Sequence, residues 1–145
     1  FNLYYSNVRK FRINKDGTIN VYGYVFLSSM NLTEIPFRFK NVYGDFYCSD
    51  NKLTSLKGCP EYVSGGFYIY NNSLNSLKYG PKYVGNDFDC SFNKLVDLKG
   101  CVKNVQGDFK CSNNQLISLI NSPEYVKKDY YCNDNYLSNL KGISK

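Results

Sequence analysis

The sequence contains no histidine, no tryptophan and only one methionine among its 145 residues. Histidine is the commonest general base and a common metal ligand, so its absence removes the usual starting point for catalysis and metal binding. The chain also lacks a Gly-x-Ser-x-Gly motif, a phosphate-binding loop and a spaced set of metal ligands. The sequence therefore predicts a protein that is not an enzyme and that holds neither a cofactor nor a metal.

Long apolar segments are missing as well, so we expect no membrane span. Residues 1–11 alternate polar and aromatic side chains without an apolar core, and we therefore expect no signal peptide. Hydrophobic residues make up 43% of the chain and aromatic residues 17%, which is enough for a packed core. The net charge of +6 weakly favours acidic partners.

What the sequence does contain is a 21-residue unit that recurs without insertion or deletion, starting at Val42, Val63, Val84, Val105 and Val126. Five columns stand out, namely Phe46, Phe67, Phe88, Phe109 and Tyr130; Cys48, Ile69, Cys90, Cys111 and Cys132; Asn51, Asn72, Asn93, Asn114 and Asn135; Leu53, Leu74, Leu95, Leu116 and Leu137; and Leu56, Leu77, Leu98, Leu119 and Leu140. A degenerate unit precedes these, with Met30 in place of asparagine. We predict a cap over residues 1–20 and units at 21–41, 42–62, 63–83, 84–104, 105–125 and 126–145.

A 21-residue unit is too short to bury its own core, so the units must stack into a solenoid. Phe46 and Cys48 are two residues apart and should face one side of a short strand. Stacked parallel strands about 4.8 Å apart give a rod of roughly 29 Å. Because an asparagine amide both donates and accepts, the Asn51 column should pair backbone groups of adjacent coils.

The segment Phe46-x-Cys48-x-x-Asn51-x-Leu53-x-x-Leu56 resembles the core of the leucine-rich repeat, and the short period resembles bacterial and bacteriophage repeats. The resemblance implies a mostly β, right-handed solenoid with one parallel sheet and a convex side of turns or 3₁₀ turns. Residues 9–22 predict an N-terminal hairpin cap, with Lys15-Asp16-Gly17 as its turn.

The six cysteines resemble a disulfide scaffold until their columns are considered. Cys48, Cys90, Cys111 and Cys132 share an inward column in which the Cβ vectors are parallel, which does not suit a disulfide. Cys59 and Cys101 lie two coils apart, roughly 9–10 Å. A metal site would lack histidine and any Cys-x-x-Cys. We therefore predict reduced core cysteines and a cytoplasmic setting, in the producing or a host cell.

Function should lie in the outward columns, since solenoids bind through their sheet faces. These columns are Tyr24, Asp45, Gly66, Asp87, Asp108 and Asp129; Phe26, Tyr47, Tyr68, Asp89, Lys110 and Tyr131; and Ser28, Ser49, Tyr70, Ser91, Ser112 and Asn133. We predict a partner-binding face containing Tyr47, Tyr68, Tyr70, Asp87, Asp89, Phe92, Asp108, Lys110 and Tyr131. The aromatic residues could equally form a ladder that stabilises the sheet, and the two roles are compatible.

Three points stay open from the residues alone. The stacked aspartates could accept backbone hydrogen bonds, attract a basic partner or hold a calcium ion. The rows Lys57, Lys78, Lys99 and Lys141, with Lys52 and Lys94, could contact a polyanion or nucleic acid, although a solvated face is the simpler interpretation. An open edge strand at Tyr130–Cys132 could support self-association. The function predicted first is protein–protein interaction, by family analogy a host- or defence-directed phage or bacterial binder.

Overall fold

The computed structural model describes residues 10–143, which form thirteen short β-strands and no helix. These residues therefore contain no helix long and apolar enough to cross a membrane. The strands are β1 Phe11–Ile13, β2 Ile19–Val21, β3 Val25–Phe26, β4 Phe39–Val42, β5 Phe46–Tyr47, β6 Tyr62–Val63, β7 Phe67–Tyr68, β8 Tyr83–Val84, β9 Phe88–Asp89, β10 Asn104–Val105, β11 Phe109–Lys110, β12 Tyr125–Val126 and β13 Tyr130–Tyr131. The mostly β class and the solenoid with a 21-residue period are confirmed.

The prediction of one parallel sheet was wrong, because each coil contributes to two sheets. Strands β1-β2-β4-β6-β8-β10-β12 form a seven-stranded sheet, and β13-β11-β9-β7-β5-β3 form a six-stranded sheet. In the coil of residues 42–62, Gly44 lies between the two strands, and a Cβ there would come within 2.5 Å of the Gly23 carbonyl carbon. The glycine thus lets adjacent coils approach at the bend, and the chain before and after it runs extended.

The N-terminal hairpin is confirmed for its described residues. Strand β1 pairs antiparallel with β2, and Asp16 Oδ1 accepts hydrogen bonds from the N–H and hydroxyl of Thr18 in the turn. Phe11 packs against the core, whereas Ile13 is exposed. Residues 1–9 of the predicted cap, which include most of the segment judged not to be a signal peptide, and residues 144–145 of the last predicted unit lie outside the described residues.

The core is built from the repeat columns. Phe46, Phe67, Phe88 and Phe109 are fully buried, and successive rings are 5.3 to 5.7 Å apart. The leucine columns and the valine before each bend close the interior from Leu53 to Leu119. Towards the C-terminus the same columns become partly accessible, as at Tyr130, Cys132 and Leu137. The stacked columns therefore supply one continuous apolar interior, although no single unit could bury one.

The asparagine column forms the cross-coil ladder that the sequence predicted. Asn93 Oδ1 accepts the N–H of Leu74 in the preceding coil at 3.0 Å. Its amide nitrogen donates to the carbonyls of Ile69, Cys90 and Ser91 at 3.0 to 3.2 Å. The equivalent bonds recur at Asn72, Asn114 and Asn135, and Asn51 Oδ1 accepts the equivalent N–H of Leu32 and also that of Met30. The column satisfies buried backbone groups, as their burial requires.

Candidate recognition faces

Tyr47 and Tyr68 stack on the outer side of the six-stranded sheet, with ring centroids 4.9 Å apart and planes 6° apart. Tyr47 donates its hydroxyl to Asp45 Oδ2 at 3.0 Å, whereas Tyr68 reaches the next coil and donates to Asp87 Oδ2 at 3.3 Å. Burial first, and then the hydrogen bond to Asp45, raises the pKa of Tyr47. Both phenols are therefore protonated donors fixed by carboxylates.

Gly66 makes room for this stack. It occupies the position that is aspartate in four other coils, and a Cβ there would lie 2.5 Å from the ring of Tyr68. The absence of a side chain lets the Tyr68 ring lie over the backbone and reach Tyr47. Tyr70 is close enough to contribute to the raised pKa of Tyr47, so the structure brings together three of the tyrosines that the sequence singled out.

The aspartate column accepts backbone hydrogen bonds, the first of the three roles considered. Asp45 Oδ1 accepts the N–H of Gly66 at 2.7 Å, and Asp87 Oδ1 accepts that of Asp108 at 2.8 Å. Asp108 Oδ1 accepts the N–H of Asp129 at 3.2 Å. Residues 10–143 contain no group of three or more Cys, Asp or Glu arranged to hold a metal ion. Each carboxylate thus bridges two coils while keeping its second oxygen on the outer face.

The outer face of the six-stranded sheet is acidic although the chain is basic. Its two outward columns carry the carboxylates of Asp45, Asp87, Asp89, Asp108 and Asp129 and one lysine, Lys110. Lys110 lies 3.6 Å from Asp108 Oδ2 and its Nζ is 5.3 Å from the centroid of the Tyr131 ring. The charge of Asp129 is the main cause that raises the pKa of Tyr131. The basic excess of the chain therefore lies elsewhere on the surface.

Phe92 is 55% exposed and its φ of 54° is left-handed. The equivalent positions Asp50, Asn71, Asn113 and Asp134 share this conformation but are residue types that tolerate it. Within the described residues no ring stacks on Phe92, so it does not continue the Tyr47–Tyr68 stack. A bulky residue held in a strained conformation with its ring in solvent favours a functional interpretation.

The third outward column was assigned wrongly. Ser49, Ser91 and Ser112 are buried rather than exposed, because the chain turns at the next residue and folds the serine between coils. The Ser49 hydroxyl donates to the carbonyl of Tyr68 at 3.3 Å. Only Tyr70 and the two terminal members, Ser28 and Asn133, keep partial or full exposure. The outer face is therefore two columns wide, with Tyr70 at its border.

A second aromatic array lies on the seven-stranded sheet, and the sequence analysis did not find it. We call Tyr22, Tyr43, Tyr62 and Tyr83 the outer tyrosine ladder. Consecutive centroids are 5.3, 5.7 and 4.9 Å apart, and the first and last pairs are stacked within 9° and 7°. Lys10 Nζ lies 5.6 Å from the centroid of Tyr22. Tyr22 and Tyr43 directly follow a valine of the valine column, whereas Tyr62 and Tyr83 directly precede one. This recurrence of tyrosine beside the valines is the sequence pattern from which the ladder could have been found.

The lysine rows lie on exposed turns. Lys57, Lys78, Lys99 and Lys141 are all exposed. The backbone N–H of each donates to a side chain two residues earlier, as Lys57 does to the Ser55 hydroxyl at 3.1 Å and Lys99 to Asp97 Oδ1 at 3.0 Å. Lys78 Nζ lies 5.0 Å from the centroid of the Tyr79 ring. This arrangement favours solvated turns over a shaped anion site.

All six cysteines are free thiols. Cys48, Cys59, Cys90 and Cys111 are buried, and Cys101 and Cys132 are partly accessible. Burial raises the pKa of Cys48 and of Cys111 to about 12, and it raises the pKa of the other four as well. The thiols therefore act as small apolar groups, as the sequence predicted.

Comparisons of the chain with family models, with curated proteins and with solved structures find no match.

Proposed function

We propose that the protein is a binding module that recognises a basic protein segment with the outer face of its six-stranded sheet. The observation that carries the proposal is the stack of Tyr47 on Tyr68, with both hydroxyls on aspartates inside an acidic face. Tyrosine offers a large rigid contact area with one polar tip, and it is enriched among residues that dominate binding energy. A cationic partner would meet both the ring edges and the carboxylate row.

The acidic charge selects the partner. Five carboxylates against one lysine on this face oppose an acidic ligand by like-charge repulsion, whereas the chain as a whole is at +6. Because the Asp45 and Asp87 carboxylates are already oriented by cross-coil hydrogen bonds, they lose little conformational freedom on binding. The proposal therefore names a segment rich in lysine or arginine, and binding should weaken as salt rises.

Two finer assignments belong to the same proposal. The first is that the solenoid is a divergent relative of the leucine-rich repeats. The leucine columns and the asparagine ladder support this relationship, and the second sheet is the feature in which the fold departs from the expected single sheet. By that analogy the protein is a host- or defence-directed binder acting in the cytoplasm of the producing or host cell. The partner-binding residues are Tyr47, Tyr68, Tyr70, Asp87, Asp89, Phe92, Asp108, Lys110 and Tyr131.

The test compares binding of two peptides of equal length, one rich in lysine and one rich in glutamate, to the protein and to its Tyr47→Ala/Tyr68→Ala/Tyr70→Ala variant. We expect the lysine peptide to bind and the triple variant to lose roughly tenfold or more in affinity. The Gly66→Ala variant should also weaken binding, since the added Cβ displaces the Tyr68 ring.

The matched control replaces Lys57, Lys78 and Lys99 on the turn side with alanine, and it should leave affinity unchanged or slightly raised. Circular dichroism verifies the fold of each variant. The proposal fails if the glutamate peptide binds better, or if the turn-side variant loses binding while the tyrosine variant keeps it.

A further inference from the structure

The outer tyrosine ladder lacks one rung. Asn104 is paired with Tyr125 across β10 and β12, and Val105 of the same strand is paired with Val84. The asparagine therefore stands in register between Tyr83 and Tyr125. Tyr83 is 46% exposed, Tyr125 is 44% exposed and Asn104 is also exposed. Two accessible rings thus flank a position where the array has no ring.

The vacant rung has the thickness of one flat ring. Adjacent parallel strands are about 4.8 Å apart, so the strands that carry Tyr83 and Tyr125 are roughly 9.6 Å apart. A planar group above Asn104 would lie about as far from each ring as Tyr62 lies from Tyr83, whose centroids are 4.9 Å apart. Because Tyr62 stacks on one face of Tyr83 with their planes 7° apart, the other face of Tyr83 is the one turned towards the Asn104 position.

The side chain between the two tyrosines is the Asn104 amide, which can donate and accept hydrogen bonds at the same time. The edge of a nucleobase presents both kinds of group. A sugar ring has no flat π-face and would need an open aromatic platform rather than a narrow slot between two rings. The chemistry of the slot therefore fits a planar heterocycle that enters edge first.

Cations surround the slot. Lys82, Lys103, Lys127 and Lys128 lie on the coils that form it, all of them exposed. Lys82 and Lys103 pair with Glu61 and Glu124 at 2.8 and 2.5 Å, but these pairs are largely solvent-exposed. Exposed ion pairs contribute little stability, so phosphates can replace the carboxylates. This charge favours a polyanion, whose phosphates recur along the strand, over the aromatic side chain of a basic or neutral protein.

We propose that this slot binds an unpaired base of a single-stranded nucleic acid, stacked between Tyr83 and Tyr125, with the adjoining phosphates on Lys103 and Lys127. Single-stranded nucleic acid is commonly held by aromatic stacking within a basic groove. Duplex bases are already stacked and cannot enter. The site lies on the seven-stranded sheet, so it is independent of the acidic face proposed above to bind protein.

The test measures fluorescence anisotropy of a labelled single-stranded oligo-deoxyadenosine of about six nucleotides at low salt. Asn104→Tyr fills the vacant rung without changing charge, and we expect it to lower affinity roughly five- to one-hundred-fold. The slope of affinity against salt should stay the same, because the phosphate contacts remain. Tyr125→Leu removes one wall and should lower affinity comparably.

The control is Asn41→Tyr, the same substitution in the same column but beside Tyr62, which already stacks on Tyr83 and contacts Tyr43 at a tilt of 51°. It should leave affinity unchanged. The proposal is overturned if the oligonucleotide does not bind, if Asn104→Tyr binds as well as the parent, or if a duplex of equal length binds as tightly. Binding of a tryptophan peptide in the slot in preference to the oligonucleotide would assign it to a protein partner and overturn it too.

Discussion

Replacing Asn93 with leucine tests how much of the stability depends on the asparagine ladder. The side chain is buried and bonds to four backbone groups in two coils. Leucine has the same number of side-chain heavy atoms, branched at the same carbon, but can neither donate nor accept. The substitution therefore removes the hydrogen bonds without opening a large cavity, which separates polar satisfaction from packing.

The expected magnitude follows from the groups left behind. The buried N–H of Leu74 loses Asn93 Oδ1, and an unpaired buried donor costs about 1–3 kcal/mol. The carbonyls of Ile69 and Cys90 each retain a second amide donor, from Asn72 and from Asn114 respectively. Their partial loss adds about 0.5–1.5 kcal/mol each. We expect Asn93→Leu to lower the free energy of unfolding by about 2–6 kcal/mol.

Asn93→Asp adds a pH signature. Its carboxylate still accepts from Leu74 but faces the carbonyls to which the amide donated. Protonation restores one donor, so the folded-state pKa of this carboxyl should be raised above its unfolded value of about 3.9. Stability should then be highest below that unfolded value and should fall as pH rises through the raised folded value.

Urea unfolding followed by circular dichroism, at pH 7 and near pH 4, measures both variants. Asn113→Asp is the matched control, because it makes the same change on the neighbouring coil at a turn position that is aspartate in two other coils. It should change stability by no more than about 0.5 kcal/mol. A loss below about 1 kcal/mol for Asn93→Leu would refute the ladder argument.

The further predictions concern strain and thiols. Phe92→Asn should raise the free energy of unfolding, measured by urea titration, by about 1 kcal/mol, because asparagine tolerates the left-handed φ of 54° better than phenylalanine does. Asn113→Phe should lower it by a comparable amount. If Phe92→Asn is instead less stable than the parent, the Phe92 ring packs against the free protein and the strain argument is wrong. A thiol reagent at pH 8 should label Cys132 first and Cys48, Cys90 and Cys111 only after unfolding. Folding raises the pKa of Cys48 and Cys111 to about 12, so the contribution of these thiols to the free energy of unfolding should be fully present below pH 8. It should be lost between about pH 9 and 12, as the thiols of the unfolded chain ionise. A free energy of unfolding that stays level over that range would contradict the burial.

The sequence was most informative where the period is strict. The phenylalanine, asparagine and leucine columns recur from Val42 onwards with Tyr130 as their one exception, so their burial and cross-coil pairing could be predicted. The seven-stranded sheet could not, because strands such as Tyr62–Val63 are two residues long and show no alternation. The burial of Ser49 could not be predicted either, because a simple in–out alternation places its side chain on the outside and the bend at Asp50 interrupts that alternation.

The candidate sites were predicted in part. Tyr47, Tyr68 and Tyr70 could be placed together because they fall on adjacent coils in known columns. The outer tyrosine ladder was missed because it changes column between Tyr43 and Tyr62, so a search at the fixed repeat spacing does not connect its halves. The strain at Phe92 was visible only as an apolar residue in a polar column, since the backbone angle that explains it comes from the structure.

The direction of the asparagine bonds has a consequence for how the chain can change its length. Each amide completes the coil before its own, joining residues 19 and 24 positions apart. Deleting residues 63–83 would leave every remaining asparagine facing an equivalent leucine and carbonyl, whereas losing one residue inside a coil would misalign every bond that crosses the lesion. Duplication or loss of whole 21-residue segments is thus the neutral route by which this rod could lengthen or shorten, and a variant lacking one internal coil should fold while a single-residue deletion in the same coil should not.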